Sequence, residues 1–101
     1  MPKRIRQKLG RYHLRRRLRG KVLLSKVTSF SCYQHNHQEK TCTTARKFIR
    51  NNNIQPPCVI TVLKISGSEE KFFLSNNGLF SYKYAIENHK LFSPEIASIA
   101  S

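Results

Sequence analysis

No acidic side chain precedes Glu39, while eleven of the 19 Lys and Arg residues fall between Lys3 and Lys26. A stretch such as Arg15-Arg16-Arg17-Leu18-Arg19 repels itself and cannot collapse into a core unless an anion neutralises it. The ability to fold is therefore confined to the rest of the chain. The formal net charge is +14, yet residues 27–101 hold eight basic and five acidic side chains, a net of only +3. This asymmetry predicts two parts: a basic N-terminal arm, residues 1–21, disordered when free, and a small α+β domain, residues 22–101. About 75 residues suffice for a modest core.

Within the body, the pattern predicts a three-stranded antiparallel meander with short helices and the flexible arm extending from it. Val22, Leu24, Thr28 and Phe30 share one parity, which predicts a strand interrupted by Lys26. Residues 31–40 are polar and read as loop. Thr41 or Thr43 is placed to cap a helix running to Arg50, because Ala45, Phe48 and Ile49 fall on one face. Asn51-Asn52-Asn53 ends that helix and Pro56-Pro57 forbids its continuation. Cys58–Ile65 is β-branched and almost wholly apolar, as in a buried strand. Ser66-Gly67-Ser68-Glu69-Glu70 is a turn, Lys71–Ser75 a second strand, and Asn76-Asn77-Gly78 a tight hairpin. Leu79–Ile86 alternates strictly, with Phe80, Tyr82, Tyr84 and Ile86 on one side, and reads as the third strand. Ser93-Pro94-Glu95 has the chemistry of a helix start: a cap, a proline at the first position and an acid near the positive dipole end.

The arm carries the functional expectation. Lys3, Arg4, Arg6, Lys8, Arg11, Arg15, Arg16, Arg17, Arg19 and Lys21 are the candidate nucleic-acid-binding residues. Such side chains neutralise phosphates and release condensed counterions, and arginine adds bidentate and stacking contacts. Tyr12 and His13, set among them, are of types that stack on unpaired bases. RNA is expected over DNA, because the arm has no recognition helix for a major groove and arginine-rich segments that fold on binding are common in RNA recognition. The same basic run also fits a nuclear or nucleolar address. A mitochondrial presequence fits in charge but not in periodicity: Ile5, Leu9 and Tyr12 oppose Leu14, Leu18 and Val22 on a helical wheel, and Gly10 and Gly20 weaken the helix. A ribonucleoprotein or ribosomal subunit, and a cationic factor for anionic membranes or glycans, are the remaining alternatives. An intracellular setting is expected, in the nucleus, the nucleolus or a ribosome-containing compartment, with the mitochondrion as the other option. No apolar run nears the roughly 18 residues of a membrane span.

Other chemistry finds less support. Cys32, His35, His37 and Cys42, with Cys58 further on, are zinc-ligand types. Their spacing, C-x₂-H-x-H-x₄-C, contains no C-x₂-C knuckle, so no metal or other cofactor is assigned. The odd cysteine count argues against a disulfide framework. Phe72, Phe80, Tyr82 and Tyr84 are expected to fill one face of the sheet rather than to stack bases, with Lys64 and Lys83 offering a weak basic patch. Asp is absent and Glu sparse, and neither phosphate-cradling glycine loop is present, so no enzyme activity is expected. The helix, three strands, helix order from Thr41 resembles that of double-stranded RNA-binding domains. Residues 82–90 lack the lysine cluster those domains carry, and element order by itself assigns no membership.

Overall fold

A computed structural model describes residues 20–100, with side chains described through Ile96. The elements in order are α1 (helical over residues 20–25), β1 (Ser29–Tyr33), α2 (Thr41–Asn51), β2 (Cys58–Leu63), β3 (Glu69–Ser75), β4 (Gly78–Ser81), α3 (Tyr82–Glu87) and α4 (His89–Ala100). The class is α+β, as expected, but the sheet is mixed and has four strands in the order β1-β2-β3-β4. Strands β2, β3 and β4 form the antiparallel meander; β1 is an added edge strand, parallel to β2. Parallel neighbours need a crossover, and α2 lies within it.

Register and burial together show three layers. Cys58, Ile60 and Val62 of β2, with Phe72 of β3, pack beneath Ala45 and Ile54 on the α2 side. Val59 and Phe73 face the other way, onto Leu24 and Val27 of the α1 region and onto Ala85, Ile86, Phe92 and Ile96 of α3 and α4. β2 is thus covered on both faces, which is why its sequence is apolar but for Thr61 rather than alternating.

Three local expectations are corrected. Residues 22–25 are the end of a helix, not a strand: the chain turns at Lys26, whose N–H donates to the Leu23 carbonyl at 3.3 Å, and the strand begins at Ser29 and runs into the expected loop as far as Tyr33. The run Leu79–Ile86 divides at Ser81, whose hydroxyl accepts from the Tyr84 N–H at 3.1 Å and caps α3. The same residues that alternate for a strand also place Tyr82, Ala85 and Ile86 at i, i+3 and i+4, and the helical option buries Ala85 and Ile86. Finally, Ser93-Pro94-Glu95 does not start a helix but lies inside α4. Pro94 cannot supply the N–H that would bond the Lys90 carbonyl; the Ser93 hydroxyl donates to that carbonyl instead, at 3.1 Å. Continuity through this point places Phe92 and Ile96 one turn apart, 3% and 1% exposed.

The end of α2 matches its sequence. Asn53 adopts φ 51°, a left-handed conformation that Asn tolerates. The Ile54 N–H reaches the Ile49 carbonyl at 3.0 Å and the Asn53 N–H reaches that of Arg50 at 3.4 Å, a Schellman closure. The start of α2 differs from expectation. Lys40 is the N-cap residue without a side-chain cap bond, and neither Thr41 nor Thr43 serves. The Asn76-Asn77 hairpin is present, with Ser75 opposite Gly78 and Gly78 at φ 137°.

Candidate nucleic-acid interface

Of the candidate binding residues, Lys3, Arg4, Arg6, Lys8, Arg11, Arg15, Arg16, Arg17 and Arg19 lie outside the described residues, as do Tyr12 and His13. Lys21 is described, and it is exposed on α1. The residue before it, Gly20, is buried. A Cβ there would stand 2.8 Å from the Ile86 carbonyl oxygen, so α1 approaches α3 at backbone contact. Residues 20 and 21, placed in the arm by sequence, are helical and attached to the body.

The body adds basic side chains that sequence reading passed over. α2 buries Thr44 and Ala45 and exposes Arg46, Lys47 and Arg50. The signal was available: once Ala45, Phe48 and Ile49 define the inner face, positions 46, 47 and 50 must point outward. Among the described residues, ion pairs engage only Lys47, which lies 2.5 Å from Glu39, and Lys64, 3.7 Å from Glu70. Arg46 and Arg50 are in neither pair, which leaves the outer face of α2 with two cations available to a polyanion.

Lys64 and Lys83 do not form one patch. Lys64 follows β2 and is paired, whereas Lys83 is exposed on α3. The aromatic set is also divided. Phe72 packs on the α2 side, whereas Phe80 and Tyr82 pack on the opposite layer. Tyr84, 42% exposed, stacks on Phe80 with ring centroids 5.4 Å apart, and Lys71 lies 5.5 Å from the Tyr82 ring. Phe80 and Tyr84 are thus engaged with each other and Tyr82 with Lys71.

The Cys/His segment is organised by Glu39. Its carboxylate accepts from the Thr44 hydroxyl at 3.1 Å and pairs with Lys47, while the Gln34 side chain donates to the Glu39 carbonyl. Hydrogen bonding by Lys47 first, and then by Thr44, holds the Glu39 carboxyl below its ordinary value. His35 and His37 are exposed, whereas Cys58 is buried in the sheet. Among the described residues, no three His, Cys, Asp or Glu side chains are grouped to hold a metal ion. No helix among them is long and apolar enough to cross a membrane.

A small mixed sheet between one helix and three, preceded by a strongly basic N-terminal segment, defines an α+β protein with a cationic outer face on α2. The chain belongs to the family described as Protein of unknown function (DUF3155), whose profile matches residues 6–97. That match takes in most of the basic segment together with the folded body. Neither the comparison with curated proteins nor that with solved structures finds a significant match.

Proposed function

We propose that this protein binds nucleic acid, RNA in preference to DNA, and acts as a binding protein rather than an enzyme. The reading rests on one observation: eleven of the 19 basic residues, a net charge of +11 out of +14, lie ahead of the first acidic residue. The segment before Gly20 supplies affinity by neutralising phosphates. The body orients it, and Arg46 and Arg50 on α2 extend the cationic surface. Within a ribonucleoprotein the same segment would thread between RNA helices. An intracellular, RNA-containing compartment follows from this reading.

The test is the salt dependence of binding to a structured RNA, followed by fluorescence anisotropy. The full chain is compared with a full-length variant carrying Arg15→Gln, Arg16→Gln, Arg17→Gln and Arg19→Gln. The log–log slope should flatten by roughly 0.7 to 0.9 for each phosphate that the variant no longer neutralises. An unchanged slope and affinity would mean that the basic segment is an address and not a binding element.

A further inference from the structure

The two edges of the sheet are not alike. β4 is only four residues long and passes directly into α3. β1 is five residues, Ser-Phe-Ser-Cys-Tyr, and carries none of the devices that normally protect an edge: no charge, no proline and no bulge. In a parallel pair, alternate residues direct both backbone groups toward the neighbour. The Thr28 carbonyl accepts from the Val59 N–H at 2.9 Å and the Gln34 N–H donates to the Leu63 carbonyl at 2.9 Å. These two bonds fix the phase, so Phe30 and Cys32 address β2, while Ser29, Ser31 and Tyr33 turn their N–H and C=O groups outward. Among the described residues, no hydrogen bond satisfies those outward groups.

Beside this edge lies a trough. α2 packs over β2 and touches both β1 and β3, yet leaves hollows between itself and β1. One hollow of about 540 Å³ is lined by Thr28, Phe30, Phe48, Asn52 and Pro57, among others. A second, of about 420 Å³, is lined by Cys32, Tyr33, Lys47, Phe48, Asn51 and Asn52, among others. They share Phe48 and Asn52, so together they follow β1 along its length. Phe30 is 37% exposed and Tyr33 66%. The carboxylate in this lining, Glu39, is already engaged by Lys47 and Thr44.

We propose that β1 is a docking edge for an extended acidic segment of a partner protein, which adds as a further strand and sends alternate apolar side chains into the trough. Outward backbone donors and acceptors in ladder spacing match another peptide backbone. A phosphodiester chain offers acceptors but no donors in that register. Charge selects the occupant: a second copy would bring together two chains of +14 each, whereas an acidic segment is attracted by the same field. This inference uses a different surface from the RNA reading, although both draw on the same excess of positive charge.

The test uses the isotopically labelled full chain and a synthetic peptide alternating Val and Glu. A control peptide of equal charge carries proline at every second position and cannot form a strand. The Val/Glu peptide should shift the amide resonances of Ser29, Ser31 and Tyr33, and the control should not. Ser31→Pro removes an outward N–H without removing a bond to β2, and should weaken binding about five- to tenfold with an unchanged melting temperature. If that variant unfolds, Ser31→Glu, which sets a like charge against the acidic peptide at the edge and should likewise weaken binding, replaces it. Equal binding of both peptides, or an unaffected β1, overturns the proposal. So does a dimer in sedimentation that either substitution dissolves, because the occupant would then be a second copy. Shifts at β1 produced by single-stranded RNA instead of the peptide overturn it as well.

Discussion

One methyl group separates Gly20 from alanine, and the Ile86 carbonyl oxygen occupies the space that methyl would need. The obstacle is backbone, so relief requires α1 to move away from α3. Gly20→Ala should therefore destabilise the fold by about 1–3 kcal/mol, read as a lower urea midpoint at unchanged m. Cys58 makes a second prediction at this scale. Burial raises its thiol from the ordinary 9.0 to about 11. A group whose folded value is raised contributes fully below its unfolded value, and that contribution is lost as pH rises through the folded one. Stability should thus decline between pH 9.0 and about 11. Burial raises Cys32 and Tyr82 as well, so Cys58→Val should reduce the decline without abolishing it. Thermal melts across this range check the point, and buried Cys58 should be the last thiol alkylated in the native protein.

At the scale of elements, Ser81 caps α3. Ser81→Ala removes the acceptor for the Tyr84 N–H and should cost about 1 kcal/mol, with faster amide exchange confined to α3. The β3–β4 hairpin is tied to α4 through Glu95, which accepts from the buried Ser75 hydroxyl at 2.8 Å and from the Asn76 N–H at 3.3 Å. Glu95→Ala leaves the Ser75 O–H without its acceptor, although the Ser75 oxygen still accepts from the Asn77 N–H at 3.1 Å, and should cost about 1–3 kcal/mol, with loss of exchange protection at Asn76. These two elements show where sequence was legible. The hairpin was, because Asn-Asn-Gly encodes its backbone conformation locally. The α2 terminus was as well, for the same reason. α3 was not, because Tyr82 and Ile86 lie on one face under either a two-residue or a 3.6-residue period, and only packing against Phe73 and Phe92 separates the two. Pro94 misled for a related reason: its neighbour Ser93 can cap a helix start or stand in for a missing backbone donor, and the burial of Phe92 and Ile96 selects the second.

For the whole molecule, the segregation of positive charge ahead of Glu39 links stability to the proposed polyanion. If polyanion binds the folded chain, saturating RNA should raise the melting temperature, by mass action. High salt should erase that rise as the hold on phosphate weakens. A temperature shift indifferent to salt would point to a partner that is not held by charge. The candidate site was only partly readable. The arm stands out in composition, whereas Arg46 and Arg50 become a surface only after α2 is oriented. The β1 edge was misread, since Ser29 and Phe30 closed an expected strand while Ser31–Tyr33 fell in an expected loop. By itself the sequence determined the α+β class, the antiparallel meander core and the basic segment, all of which follow from local periodicity, turn chemistry and charge. Only the tertiary structure decided that Ser29–Tyr33 pairs with β2 in parallel, that residues 82–87 form a helix, and that an edge left unpaired among the described residues borders a trough. Those outcomes depend on which distant apolar side chains meet across the sheet, a choice that no short window of sequence contains.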